Sequence, residues 1–482
     1  MVTNSARRTI RRIGVAGLLA FVFVGAAPST LVAGAATSPS RWNPQIEPIA
    51  KEVETLRHLK FEHPVQVQFL TDAAFAKQQR TDRSKLSASD KADLLRAQSQ
   101  LRALGLIGQD VDLFNAANDI SSTDVLASYN PKTQRVTVRG KGKISVATRV
   151  TLAHELTHAL QDQHFDLANV HKVADEHHAE TTARAVIEGD AVRIQTLYER
   201  KLSTADEQAY LDTSKAQSDQ AQADAKAQAI PQSLLALFEA PYAFGPALVQ
   251  VADSSLGGGI DGLFRKVPTN DTAFLTPSTL VDGAKFTTVA TPSTTKSEKV
   301  VGKPDVFGAY ALYLVLASRL GPSAALEVAD GWGGDSMITL KRHGDTCLRA
   351  TFVGRDADRT AAIGTALQQW SAAMPHGAAT VDRGRSGVIL TACDTGATPS
   401  PTPHDADEAM TFASSRNTLY STLLQQGASS KAASCTANGL VRDPAFAPLL
   451  ANPNAEPDAE TLNTLRDRAT SIGRDCVIQN QS

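Results

Sequence analysis

The chain has 482 residues, 42% hydrophobic and 20% charged, the composition of a globular protein and not of a disordered one. Lys and Arg total 48 against 50 Asp and Glu, so the basic excess of a general nucleic-acid binder is absent. After residue 36 no apolar run is long enough to read as a membrane span.

The first 36 residues differ in kind. Arg7, Arg8, Arg11 and Arg12 precede the apolar run Ile13–Ala27, and Ala33-Gly34-Ala35 follows as a small-residue cleavage pattern. This predicts a secretory signal peptide, with an uncleaved anchor as the alternative. Export gives the cysteines a meaning. Cys347, Cys393, Cys435 and Cys476 are even in number, which in an exported chain predicts disulfides. A break in composition before Cys435 favours Cys347–Cys393 and Cys435–Cys476. No Cys-x2-Cys pair supports a four-cysteine zinc site.

Ile46, Ile49, Val53 and Leu56 recur at helical spacing. Residues 64–70 and 134–139 alternate apolar and polar, predicting two strands, with a helix over 84–106 and a turn at Tyr129–Thr133 between them. Helices are expected over 146–163 and 174–201, the second running into a polar Ala/Gln/Asp-rich stretch to 229. Residues 231–252 and 305–330 read as buried helices, and 268–303 as loop. Strands at 336–351 and 387–393 flank a helix at 358–373. The expected class is α+β: a mainly helical core with a small sheet, a C-terminal α/β lobe and a helical disulfide-containing tail. The expected units are a signal peptide (1–36), a core (37–330), its C-terminal lobe (331–396), a Pro-rich linker (397–404) and a helical module (405–482).

The segment His154-Glu155-Leu156-Thr157-His158 is H-E-x-x-H. Two His four apart on a helix differ by only ~40° in azimuth, so both reach one ion. Glu155 beside them is placed to take a proton from an attacking water. Val150, Leu156, Ala159 and Leu160 are apolar, and no Pro or Gly interrupts 143–188, so the motif falls on a helix. These residues predict a Zn2+ site with His154 and His158 as ligands and Glu155 as catalytic base.

Zinc that keeps a position for water needs a third protein ligand. His164 is nearest in sequence, but Gln161 stands where a helix-ending Gly would be needed to swing it round. Glu188 follows an apolar lead-in, and Gly189 after it lets a second backbone approach, expected here to be the first helix. His177, His178 and Glu180 lie in a polar segment and rank lower than Glu188.

The block His154–Leu167, followed by Glu188-Gly189-Asp190-Ala191, resembles secreted bacterial gluzincin-like zinc metallopeptidases. The likeness runs from about residue 46 to 396 and takes in Tyr129-Asn130-Pro131, Pro241–Gly245 and Ala329–Asp335. It departs at Ser278–Gly283, where relatives carry Thr-Glu-Gln and His-Pro. The resemblance implies a zincin-like fold for the core, Glu188 as third ligand, and a Tyr or His that holds the developing oxyanion, with Tyr242, Tyr310, Tyr313 and His171 as candidates. It also implies that the strand before the active helix, 134–139, pairs by its edge with extended substrate. The expected partner is a peptide or protein substrate, with no nucleic acid and, after signal cleavage, no membrane; association with the cell envelope is the variant reading. The rival is a catalytically silent exported binding protein on the same fold.

Overall fold

The computed structural model describes residues 39–480 apart from 123–124, 141–143, 284–285, 401 and 452–456; the expected signal segment lies outside the described residues. In chain order the elements begin with α1 (Glu47–Arg57), β1 (Gln66–Leu70), α2 (Asp72–Gln79), α3 (Ala88–Ala103), α4 (Leu113–Ser122), β2 (Ala127–Asn130) and β3 (Arg135–Arg139). Then come α5 (Val146–Phe165), α6 (Leu167–His177), α7 (Glu180–Glu199), α8 (Thr204–Ala227) and α9 (Gln232–Ser255). Short helices α10 (Gly259–Arg265), α11 (Thr272–Leu275) and α12 (Thr279–Asp282) lead to β4 (Lys299–Asp305), α13 (Ala309–Leu320) and α14 (Pro322–Asp330). The remainder is β5 (Trp332–Arg342), β6 (Asp345–Gly354), α15 (Ala357–Ala372), β7 (Ala379–Arg383), β8 (Val388–Asp394), and tail helices α16 (Ala406–Gln425), α17 (Ser430–Arg442), α18 (Ala447–Ala451) and α19 (Ala459–Gln479). The class is α+β.

Three strands form the first sheet in the order β1-β3-β2, with β1 parallel and β2 antiparallel to β3. The alternation in 134–139 does mark a strand, but a central one. Both its edges are spent on neighbours, so it cannot pair with substrate, and β2 is an edge instead. Val136 and Val138 from this sheet pack with Ile49 and Val53 of α1 and with Leu152, Leu156 and Leu160 of α5. The sheet thus fixes the back of the helix that carries the motif.

The helix expected over 174–201 is broken. His178 takes φ 53°, and Ala179 N donates to Ala174 O at 2.9 Å, a bond that closes α6 before α7 starts. His178 Nδ1 lies 3.0 Å from an Asp305 carboxylate oxygen, and that tertiary contact holds a residue other than Gly in the left-handed region. A second break, after Glu199, separates α7 from α8, whose Ser203 cap accepts from Asp206 N. The 305–330 stretch is also two helices. Gly321 at φ 82° followed by Pro322 ends one and starts the next.

The second sheet is fully antiparallel, in the order β4-β5-β6-β8-β7. The single strand expected over 336–351 is a hairpin, β5–β6. His343 and Gly344 form its two-residue turn, at φ 52° and 96°, the positive pair that such turns need. β4 falls at the end of the stretch expected as loop, and β7 falls where no element was expected. One buried apolar cluster runs from Leu94 of α3 through α9, α13 and this sheet to Ala413 of α16, so it crosses residue 330 without a break. The linker is tied down, with Arg319 donating to Ser400 O at 2.7 Å.

Disulfides join Cys347 to Cys393 and Cys435 to Cys476. The first links register partners on β6 and β8, and the second ties α17 to α19. α9 is long and apolar enough to cross a membrane, contrary to the expectation for residues after 36, but 61% of its apolar window is buried in the protein. It is a core helix packed between α7 and α16.

Candidate metal centre

α5 starts at Ser145, whose hydroxyl accepts from Thr148 N, and ends at Asp166 in the left-handed region. One face packs on the small sheet; the other carries His154 and His158. α7 brings Glu188 across that face. The two Nε2 atoms are 3.1 Å apart, and each is 3.3 Å from Glu188 Oε2. Tetrahedral coordination at ~2.0–2.1 Å from nitrogen and oxygen ligands requires ligand atoms about 3.3–3.4 Å apart. The three atoms therefore have nearly the spacing that one zinc ion demands. Glu188 Oε2 is buried and in hydrogen-bond geometry with no group, although both rings are close. A buried carboxylate oxygen in that state is costly unless a cation completes it. His154, His158 and Glu188 are also the one group of potential metal ligands that converges in this way among the described residues.

Hydrogen bonding fixes which His158 nitrogen faces the site. Gln161 Nε2 donates to Ile187 O at 3.1 Å and to Asp190 Oδ2 at 3.0 Å. Both partners only accept, so the amide nitrogen is on that side and Oε1 faces His158 Nδ1, 3.1 Å away. Nδ1 must then carry a proton, which leaves Nε2 for the ion. Asp190 is fully buried and also accepts from Arg57 Nε at 2.8 Å and Arg193 Nη2 at 3.1 Å. Gln161 is thus not a failed glycine but the link between a ligand and a buried charge network. His154 Nδ1 is buried with no partner.

The electrostatics favour positive charge at this point. Burial alone would raise the Glu188 carboxyl, but the nearby histidines hold it well below its ordinary value. Burial alone would lower His158, but Glu188 carries it up to about 9. Glu155 is pushed upward by burial, against the pull of His154 and His158. Its Oε2 accepts from Tyr129 N at 2.6 Å, and Tyr129 OH donates to Asp162 Oδ2 at 2.7 Å. The β2 edge strand therefore orients the base.

Gly189 does not meet the first helix. It meets Gly245 of α9: a Cβ on Gly189 would lie 2.2 Å from the Gly245 carbonyl carbon. That contact brings Tyr242 to the site, its ring stacked on His154 at 6.2 Å between centroids. Burial and the Glu188 charge push the Tyr242 hydroxyl well above its ordinary range, so it stays neutral and can donate. Tyr310 and Tyr313 are elsewhere, with hydroxyls donating to Ala236 O at 3.2 Å and Ala409 O at 2.7 Å. His171 is exposed on α6, within the electrostatic reach of Glu188 and His158.

The remaining ligand candidates are not brought to the ion position. His164 is exposed and bonds Lys60 O at 2.7 Å. His177 is exposed at the end of α6, His178 is on Asp305, and Glu180 opens α7 near Asp271. The sequence assigned no part in the site to Gln161, Asp190, Arg57, Tyr129 or Arg184. Arg184 had a signal: a charged residue one helical turn before Glu188, directly ahead of the apolar lead-in. Comparison with protein-family models, with curated proteins and with solved structures finds no match to this chain.

Proposed function

We propose that the chain is an exported, zinc-dependent peptide hydrolase of the gluzincin kind. The observation that carries this reading is the near-tetrahedral spacing of His154, His158 and Glu188 with Glu155 beside them. These three residues would hold Zn2+. When bound, the ion supplies Lewis acidity, polarising the scissile carbonyl and lowering the pKa of the attacking water.

The chain's own residues do the rest. Glu155 accepts the proton of the attacking water and delivers it to the leaving amine. Tyr129 N fixes the direction of its carboxylate. Tyr242, neutral and beside His154, donates to the oxygen on which negative charge develops. The free edge of β2, next to Glu155, offers main-chain pairing to an extended substrate. Two disulfides suit an oxidising compartment and, with the signal-like N-terminus, support export. The test is cleavage of a mixed peptide library by wild type and Glu155→Gln. A silent binding protein would leave the library intact in both cases.

A further inference from the structure

A cavity of about 400 Å³ lies where α14 turns into β5, against the start of α15 and the end of α17. Its volume is in the range of small-molecule sites, but no apolar side chain lines it, so its occupant is polar. Three arginines reach it from two parts of the fold: Arg355 and Arg359 from the β6–α15 junction, and Arg442 from the last turn of α17. Among the described residues none of the three is in an ion pair, whereas Arg349, Arg416 and Arg468 each are.

The carboxylates of the cavity do not answer this charge. Asp330 accepts from Arg416 Nη1 at 2.5 Å and from Thr276 Oγ1 at 3.1 Å. Asp356 caps α15 and accepts from Arg359 N at 2.7 Å. That leaves the exposed Glu327 against three guanidinium groups. The backbone holds the arginines in place. Arg355 N donates to Gly331 O at 2.9 Å and its Nε to Trp332 O at 3.4 Å, which leaves both Nη groups for a ligand. A Cβ on Gly331 would lie 2.8 Å from Arg359 Cδ, so only glycine lets that side chain cross the corner.

Asn438 lines the same cavity one helical turn before Arg442. Its Nδ2 donates to Ser434 O at 2.9 Å, and its Oδ1 is buried without a hydrogen-bond partner. A buried acceptor in that state is costly unless a donor reaches it.

We propose that this cavity binds a small polar dianion, a phosphate ester or dicarboxylate that also carries a hydroxyl donor, and that the C-terminal helical module supplies one wall of the site. Arginine forks match the oxygens of either anion. Asn438 Oδ1 accepts from the hydroxyl. No residue of the metal centre lines the cavity, so the site does not depend on the hydrolase reading.

The experiment is calorimetric titration of the full chain with glycerol 3-phosphate, with L-malate and with inorganic phosphate. At least one of the first two should bind with a Kd of about 1 mM or tighter. Preference for glycerol 3-phosphate makes the ligand a phosphate ester, and preference for malate makes it a carboxylate. Arg355→Met, Arg359→Met and Arg442→Met should each weaken binding by about 10-fold or more, while Arg385→Met, an exposed residue outside the cavity, should leave it unchanged. Arg442 is exposed, so its variant tests the site even where Arg355→Met fails to fold. Asn438→Leu should weaken the hydroxyl-bearing ligand and spare inorganic phosphate; no effect on the former overturns the part given to Asn438. Binding of neither glycerol 3-phosphate nor malate, or binding that Arg355→Met and Arg442→Met leave unchanged, overturns the proposal. Loss in Arg355→Met with full affinity in Arg442→Met overturns the part given to the tail.

Discussion

Gly189 and Gly245 are in direct backbone contact where α7 crosses α9, with 2.2 Å between a Cβ placed on Gly189 and the Gly245 carbonyl carbon. Glu188 is the neighbour of one glycine, and Tyr242 lies three residues before the other. The crossing therefore sets the third ligand and the candidate oxyanion donor with one contact. Gly189→Ala should destabilise the fold by about 3 kcal/mol, the upper end of the usual overpacking cost, because backbone cannot yield as a side-chain tip can. It should also weaken zinc binding by displacing Glu188. Urea unfolding and zinc titration measure the two effects, and an unchanged zinc affinity would contradict the second.

Gln161→Leu removes the acceptor on His158 Nδ1 and one donor to Asp190. Zinc affinity should fall about 10–100-fold, the usual consequence of losing a group that orients a metal ligand. His164→Ala should leave affinity unchanged, since that ring bonds Lys60 O. Competition against a chromophoric chelator measures both variants. Equal affinities for Gln161→Leu and wild type would show that the relay is idle.

Glu180, at the start of α7, is raised to about 9 by burial and by Asp271, with Asp305 and Asp175 adding to it. Asp271 is raised to about 6 by burial, against hydrogen bonds from Thr182 and Thr181. His178 is the nearby basic group and lies on Asp305. An acid whose folded pKa exceeds its unfolded value binds its proton more tightly when folded. Its stabilising contribution is full below about pH 4 and is lost as pH rises through the folded values, up to about 9. Tm should therefore decline across that window. Glu180→Gln should raise Tm by roughly 3 °C or more at pH 8 and do little at pH 4. A lower Tm for the variant at pH 8 would reverse the sign and refute the assignment.

The two disulfides should respond differently to removal. Cys347–Cys393 and Cys435–Cys476 close loops with sequence separations of 46 and 41. Loop-closure entropy gives each about 4 kcal/mol at most. The first lies inside an antiparallel ladder that other pairs also hold, so Cys347→Ala/Cys393→Ala should lower global stability and leave β6 and β8 protected. The second ties down α19, whose buried residues are Leu465 and Cys476. Cys435→Ala/Cys476→Ala should release that helix first, seen as fast amide exchange confined to the tail. Exchange that remains slow in α19 would contradict this.

The motif helix was legible because its chemistry is local. His154 and His158 share a face by helical period alone, and Glu188 stood out by its apolar approach and following glycine. Disulfide pairing followed from a composition break. The features that escaped depend on distant contacts. Nothing near His178 announces a helix end; Asp305, far along the chain, holds it there. Residues 135–139 alternate as an edge strand would, and their central place comes from β1 and β2 on either side. Gly189 advertised a close approach without naming Gly245 as the partner. His343-Gly344, between Lys341-Arg342 and Asp345-Thr346, carried a two-residue turn signal that the expected single strand ran straight through. Gln161 was weighed as a departure from a glycine-containing pattern, and its bond to His158 exists only because Asp190 and Ile187 arrive on α7.

The most direct test is peptide turnover by wild type and Glu155→Gln, each brought to one zinc per chain as measured by elemental analysis. The account predicts cleavage by wild type, and a loss of at least about 100-fold in Glu155→Gln at equal zinc content and equal Tm. Cleavage by Glu155→Gln at the wild-type rate, or no zinc retained by the wild-type chain, would contradict it.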